Sequence, residues 1–197
     1  MVLAPVSILV VAYLLGAIPV GVLAGRVCAG VDPREAGSRN IGFTNVLRVA
    51  GKVPGAITLL GDAGKGALAV VMARTITGSG EWDLAAGAVA IFGHMYPVFL
   101  RFHGGKGVAT ALGVLVAIDV TLGCSVIFIW LASAAVWRIS SLAALIAFGI
   151  FPALALLFHP QITMLVFALG VSGLICYRHL DNIHRLLAGT EPKLGMR

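Results

Sequence analysis

Charge is scarce in this sequence. Asp, Glu, Lys and Arg together make up 11% of its 197 residues, against roughly 25% in a soluble domain. Aromatic residues are also few, at 8%, whereas hydrophobic residues reach 59%. A globule of this length lacks the interior to hide so much apolar surface, so a soluble protein is excluded and lipid is the solvent. Cysteine is limited to Cys28, Cys124 and Cys176. They are odd in number, widely spaced and free of CxxC, which removes a disulfide frame and leaves buried free thiols as the expectation. Strict apolar–polar alternation is missing, which argues against a transmembrane barrel. No GxSxG elbow, HExxH or Cys/His ligand spacing occurs, so neither a hydrolase elbow nor a metal site is expected. No heptad seam and no repeated half suggestive of an inverted-repeat transporter is visible.

What is present is a series of long apolar runs. Spanning a bilayer takes about 20 helical residues. Residues 1–25 carry no charge before Arg26, which points to an uncleaved first helix with its N-terminus outside. Residues 53–73 form a weaker run containing Asp62 and Lys65, and 84–100 a third that ends near Pro97. Residues 139–177 hold no Lys, Arg, Asp or Glu for 39 positions, long enough for two helices hinged at His159-Pro160-Gln161. The stretch 107–137 is interrupted only by Asp119 and reads as one tilted helix or two short ones. Charge decides for two. With seven spans, 13 of the 14 basic residues fall on one side: Arg26, Arg34, Arg39, Arg48, Lys52, Lys65, Arg101, Lys106, Arg138, Arg178, Arg185, Lys193 and Arg197. Arg74 alone lies opposite, with Glu81, Asp83 and Asp119. The positive-inside rule therefore favours an all-α, seven-transmembrane-helix bundle, N-terminus outside and C-terminus cytoplasmic. The expected organisation is one membrane domain, 1–197, with spans near 3–25, 53–75, 84–100, 107–118, 120–137, 141–158 and 161–178. The net charge of +6 belongs to loops facing anionic lipid, not to a nucleic-acid surface.

Four polar clusters share the expected cytoplasmic face. Gly37 to Arg48 (GSRNIGFTNVLR) combines glycines, neutral donors and an arginine fork that suit an anion, though a plain Gly/Asn turn fits equally. Gly93-His94-Met95-Tyr96-Pro97 runs into Gly104-Gly105-Lys106-Gly107-Val108-Ala109-Thr110. Flexible backbone and a lysine directly before an apolar helix favour a phosphate site over a helix-entry turn, without the Walker spacing. Arg138-Ile139-Ser140-Ser141 reads in isolation as a topology anchor with capping serines. In Arg178 to Arg185, His179 and Asn182 are three apart and share a helical face. Within Gly61 to Gly66, Asp62 and Lys65 are placed to neutralise each other, and a structural ion pair is favoured over a functional one. Donors gathered at one surface suit a lipid enzyme better than a channel, which wants polar groups along a path.

These motifs resemble those of the bacterial membrane acyl-phosphate:glycerol-3-phosphate acyltransferases, the PlsY family. Its signatures, GSxNxGxTNxxR, GHxxPxFxxFxGGKGVAT and RHxxNIxRLxxGxE, are similar to Gly37–Arg48, Gly93–Thr110 and Arg178–Glu191. The paired serines and GDxxKG also fit. Arg39, Ile41 and Phe43 depart from the glycine, proline and alanine common in the family, which implies altered loop packing. His103 replaces a residue that is commonly basic or polar.

The resemblance implies transfer of a fatty acyl group from acyl phosphate to glycerol 3-phosphate, yielding 1-acyl-glycerol 3-phosphate (lysophosphatidic acid) and phosphate, without a cofactor. It implies that Ser38, Arg48, Lys106, His179 and Asn182 form the catalytic set holding glycerol 3-phosphate, with Ser140 or Ser141 assisting. Gly104, Gly105, Asn40, Thr44 or Asn45 are candidates to cradle the acyl phosphate. The base is His179, with His94 as a second candidate, or the substrate's own phosphate. Expected partners are the two substrates, membrane lipid and the enzyme that supplies acyl phosphate, and a monomer is compatible. The expected location is the bacterial inner membrane, with the active site facing the cytoplasm. The alternatives are a small transporter or flippase for a phosphorylated metabolite, and a structural subunit.

Overall fold

Proline placement decides where several of the helices stop. The structure, a computed structural model, describes residues 3–195, with side chains from residue 6. The extreme N-terminus and the charge of Arg197 invoked above lie outside the described residues. The regular elements among them are all helical: α1 (Leu3–Ala17), α2 (Val20–Ala29), α3 (Phe43–Ala50), α4 (Lys52–Thr77), α5 (Gly80–Met95), a 3-10 turn (Val98–Leu100), α6 (Val108–Ile118), α7 (Val120–Trp137), α8 (Ser140–Phe158), α9 (Ile162–Arg178) and α10 (Leu180–Leu187). Five runs are long and apolar enough to cross a membrane: Val6–Ala29, Lys52–Thr77, Gly80–Leu100, Val120–Trp137 and Ser140–Phe158. The pair α9–α10, bent by 62°, makes a sixth if counted as one span, and Val108–Ile118 is a shorter apolar helix.

The first run is broken where the sequence suggested continuity. Pro19 has no N–H to donate and disfavours helical geometry at Ile18, so α1 ends at Ala17 and α2 restarts at Val20. Within the third run the helix α5 starts at Gly80 and ends at Met95, before Pro97, with Glu81 and Asp83 in its first turn, where the helix dipole favours acids. At the α6–α7 break the Asp119 carboxylate caps α7, accepting from the Leu122 amide at 2.7 Å.

The chain folds as two compact units, Met1–Ile118 and Asp119–Arg197. In the first, α4 packs against α1, α2, α3, α5 and α6, and α1 against α5. Small residues line its helix crossings: Ala12, Ala69, Ala73, Ala86 and Ala90 form one buried cluster with Ile8. The helices approach closely enough that a Cβ on Gly113 would overlap the Ala63 carbonyl, and one on Gly16 the Ala90 carbonyl. Lipid gives no hydrophobic drive between helices, so such backbone contact is what holds them. At one end, Arg74 Nε sits 2.8 Å from Asp83 Oδ2.

In the second unit α8 lies between α7 and α9 and contributes Phe148 and Phe151, packed edge-on to each other and, for Phe151, to Phe167. Pro152 lies inside α8 and cannot bond back to the Phe148 carbonyl. Ser172 Oγ on α9 donates to that carbonyl at 2.6 Å instead, as membrane-buried backbone requires. Cys28, Cys124 and Cys176 are all exposed on the chain's surface. This corrects the expectation of buried thiols. A small apolar side chain has no need of protein cover where the surroundings are lipid.

Candidate active site

The loop between α2 and α3 is organised from within by Asn45. Its side chain, on the second residue after Phe43 in α3, is 2% exposed. The amide nitrogen donates to the carbonyls of Pro33, Ala36 and Asn40 at 2.9, 3.1 and 2.8 Å, and its oxygen accepts from the Ser38 amide at 2.9 Å. Asn45 therefore fixes the backbone that carries Ser38 and Asn40. Asn40 in turn accepts from the Gly42 amide at 2.8 Å. Ser38 is exposed, Thr44 half-buried, and Arg48 half-buried in the last turn of α3. Arg39 takes a left-handed backbone, φ 58°, which is costly for a side chain and free for glycine. Upstream, Asp32 anchors the loop by accepting from Arg34 and Arg26. The Arg34 guanidinium holds the Asp32 carboxyl well below the usual carboxylate range, and Asp32 raises Arg34 in return.

The segment 101–107 folds back on the end of α5. The Gly104 amide donates to the Met95 carbonyl at 3.2 Å and the Gly105 amide to that of His94 at 3.1 Å. A Cβ on Gly104 would overlap the His94 carbonyl, and one on Gly105 would overlap His94 Nε2. Gly107, at φ 81°, then opens α6. Lys106 is half-buried at this turn. Thus the glycines are demanded by contact with His94 whatever they bind.

His94 belongs to a buried trio. Its Nδ1 is 3.4 Å from Asp62 Oδ1, which Lys65 Nζ meets at 2.8 Å. Lys65 also donates to the Ile18 carbonyl at 2.8 Å, the carbonyl exposed by the Pro19 break. The Asp62–Lys65 pair anticipated from spacing is present, and its joining to His94 was not anticipated.

In the second unit His179 stands at the bend between α9 and α10, buried, with Nδ1 2.7 Å from the Ile175 carbonyl. A carbonyl only accepts, so Nδ1 carries a proton there. Asn182 follows on α10 and donates to Glu191 Oε1 at 2.5 Å. Ser141 Oγ, in the first turn of α8, donates to the same oxygen at 2.6 Å, and Arg185 Nε to Oε2 at 2.7 Å. Ser140, half-buried, opens α8 beside it. Burial alone would push the Glu191 carboxyl up, but the donors Ser141, Asn182 and Arg185 outweigh it and leave it below its ordinary value. Glu191 is the organiser that sequence reasoning missed. The only signal was its place at the end of the third motif, since its partner Ser141 lies 50 residues away. The tail continues onto the α7–α8 turn, where the Leu194 amide donates to the Arg138 carbonyl at 2.6 Å.

The class is set by the helices: an all-helical integral membrane protein whose polar side chains are organised in connecting loops, at helix ends and in one buried trio. Comparison with known proteins narrows this. Residues 6–189 match the family described as glycerol-3-phosphate acyltransferase. The chain is 49% identical over 186 residues to the glycerol-3-phosphate acyltransferase of Dinoroseobacter shibae, covering 94% of this chain and 91% of that one. It is 48% identical over 186 residues to the protein of that name from Caulobacter vibrioides, covering 94% and 85%. Among solved structures it resembles the glycerol 3-phosphate form of PlsY (YgiH), an integral membrane glycerol 3-phosphate acyltransferase. There the TM-score is 0.91 and the identity 37%, over 97% of this chain and 96% of that one. The lysophosphatidic acid form gives a TM-score of 0.89 at 35% identity. The chain belongs to the glycerol-3-phosphate acyltransferase family. It is a bacterial integral membrane acyltransferase.

Proposed function

We propose that this chain acylates glycerol 3-phosphate with acyl phosphate as the direct donor, releasing phosphate and 1-acyl-glycerol 3-phosphate. The acceptor and the product follow the names of its relatives: one PlsY structure is the glycerol 3-phosphate form and the other the lysophosphatidic acid form. The observation that carries the reading is a set of cationic and hydroxyl donors: Ser38 and Lys106 on loops ordered by Asn45 and His94, and Arg48 at the end of α3. Both substrates carry phosphate, and Arg48 and Lys106 supply the charge-assisted hydrogen bonds that phosphate oxygens accept. Asn40 and Thr44 bring neutral donors to the acyl phosphate, while Gly104 and Gly105, their amides engaged by the Met95 and His94 carbonyls, leave room for it to approach the backbone beside Lys106. Asn45 serves through the loop that it braces. Ser140, Ser141, His179 and Asn182 complete the glycerol 3-phosphate set.

Acyl phosphate is a mixed anhydride with a good leaving group. A glycerol hydroxyl oxygen attacks the carbonyl carbon, the carbon–oxygen bond to phosphate breaks, and the electron pair leaves with the phosphate. The hydroxyl proton goes to His179 Nε2 or to the substrate's own phosphate. No covalent enzyme intermediate is needed, since orientation and charge neutralisation lower the barrier. The chain acts at the cytoplasmic face of the inner membrane, with seven spans and the N-terminus outside, and its function is compatible with a monomer. The charge distribution supports that orientation, and the one basic residue on the outer side, Arg74, is neutralised by Asp83.

Arg48→Ala and Lys106→Ala are each expected to lower kcat/KM for glycerol 3-phosphate about 100-fold or more in folded protein. Full activity in the Ser38→Ala/Arg48→Ala/Lys106→Ala variant would contradict the reading. A pH–rate profile of His179→Gln separates the two proton routes: retained activity with an unchanged profile excludes the histidine base.

A further inference from the structure

Asp62 and Lys65 have no place in the reaction just described, yet with His94 they form a trio only 2%, 6% and 4% exposed. An ion pair withdrawn from water is poor evidence of stability, because its desolvation cost rivals its attraction, and an apolar pair of equal volume often serves as well. Ionisable groups within a membrane segment therefore call for a functional account.

Their geometry points toward the segment 104–107. His94 holds that segment twice: its carbonyl accepts the Gly105 amide at 3.1 Å, and its ring lies so close beneath Gly105 that a Cβ there would overlap Nε2. The ring is oriented from its other nitrogen, since Nδ1 faces Asp62 Oδ1 at 3.4 Å and a carboxylate can only accept. Asp62 is held by Lys65 at 2.8 Å. Lys65 is held by the Ile18 carbonyl, which at the Pro19 break also accepts from the Val20 amide at 3.0 Å.

We propose that Asp62 and Lys65 are positioning residues for the acyl transfer: through the His94 ring they set the height and tilt of the Gly104–Gly105 backbone, and so the place of Lys106, which receives a substrate phosphate. This rests on the reading of that segment as a phosphate site. The break at Pro19, the ion pair on α4 and the ring on α5 form one polar relay ending under the loop. A rigid support of this kind matters because displacing a binding group by about 1 Å costs on the order of 100-fold in rate.

The test is a double-mutant cycle in the full-length purified protein between Asp62→Asn and Gly105→Ala. KM values for palmitoyl phosphate and glycerol 3-phosphate, kcat and the melting temperature are read separately. Gly105→Ala displaces the loop directly, and Asp62→Asn is expected to reproduce its pattern. The KM for one phosphate substrate should rise about tenfold or more in folded protein, beyond what any fall in melting temperature from burying Lys65 without its carboxylate explains, and the double variant should be no worse than Gly105→Ala alone. Additive effects, or a loss that follows melting temperature alone, would overturn the positioning role. Should Asp62→Asn fail to fold, Asp62→Leu/Lys65→Met, which removes both charges, carries the same measurement. Failure of both to fold would assign the trio to structure alone and overturn the proposal. If neither Gly105→Ala nor Lys106→Ala alters either KM, the phosphate-site reading itself has failed. If they do and Asp62→Asn does not, only the relay has.

Discussion

The two units of this chain solve the membrane packing problem in different ways. Met1–Ile118 brings helices together over small residues, with Gly113 against the Ala63 carbonyl and Gly16 against that of Ala90. Asp119–Arg197 adds Phe148, Phe151 and Phe167 to its buried alanines, and three of its helical glycines, Gly149, Gly170 and Gly173, have nothing within 4 Å of an added Cβ. Their polar organisers differ as well. The first unit uses Asn45 on backbone and a buried charge trio, whereas the second uses one carboxylate, Glu191, to hold Ser141, Asn182 and Arg185. Backbone-to-backbone packing suits loops whose amides must hold position. Side-chain packing leaves the second unit to fix its polar groups by a single acceptor.

The comparison can be broken most forcefully at a helix crossing. Gly113→Val is expected to destabilise by about 3 kcal/mol or more, because the Ala63 backbone cannot yield as a side chain would. Gly170→Ala should be neutral or slightly stabilising. Melting temperatures in detergent check both, and equal losses would erase the distinction between the units. Glu191→Ala comes next, at about 2 kcal/mol, from lost hydrogen bonds to a charged acceptor.

The pH dependence of Glu191 sharpens the point. Its folded pKa is depressed below the ordinary 4.5, so its contribution is fully present above that pH and is lost as pH falls through the lower folded value. The stability gap between wild type and Glu191→Gln should therefore narrow on acidification below about pH 4.5. A gap that widened there would contradict the assignment. Ser172→Ala should cost about 1 kcal/mol by stranding the Phe148 carbonyl. Most of that loss should vanish in Pro152→Ala, whose restored amide can serve the same oxygen, and additivity in this cycle would remove Ser172 from the role. The smallest effect is expected at Arg39→Gly, a gain of about 0.5–1 kcal/mol from relief of the left-handed backbone.

Much of this was legible in the sequence, for identifiable reasons. Apolar runs mark helices because lipid permits few other spanning structures, and the Asp119 break was visible as an isolated acid in an apolar stretch. The division at Pro19 was passed over because hydropathy does not register a missing N–H. Residue types at the site were legible, but their partners were not. An asparagine in a Gly-rich loop reads equally as ligand or brace, and only the fold shows Asn45 satisfied by carbonyls at Pro33, Ala36 and Asn40. Glu191 and Ser141 meet across a sequence distance that no local pattern reports. The same holds for His94 and Asp62.

The chemistry stands or falls on the donor. Purified protein is supplied with labelled glycerol 3-phosphate and either palmitoyl phosphate or palmitoyl-CoA, and lysophosphatidic acid and inorganic phosphate are measured together. Palmitoyl phosphate is expected to give both products in equal amounts, and palmitoyl-CoA neither. Lysophosphatidic acid formed from palmitoyl-CoA at a comparable rate, or folded protein that makes none from palmitoyl phosphate, would contradict acyl-phosphate transfer.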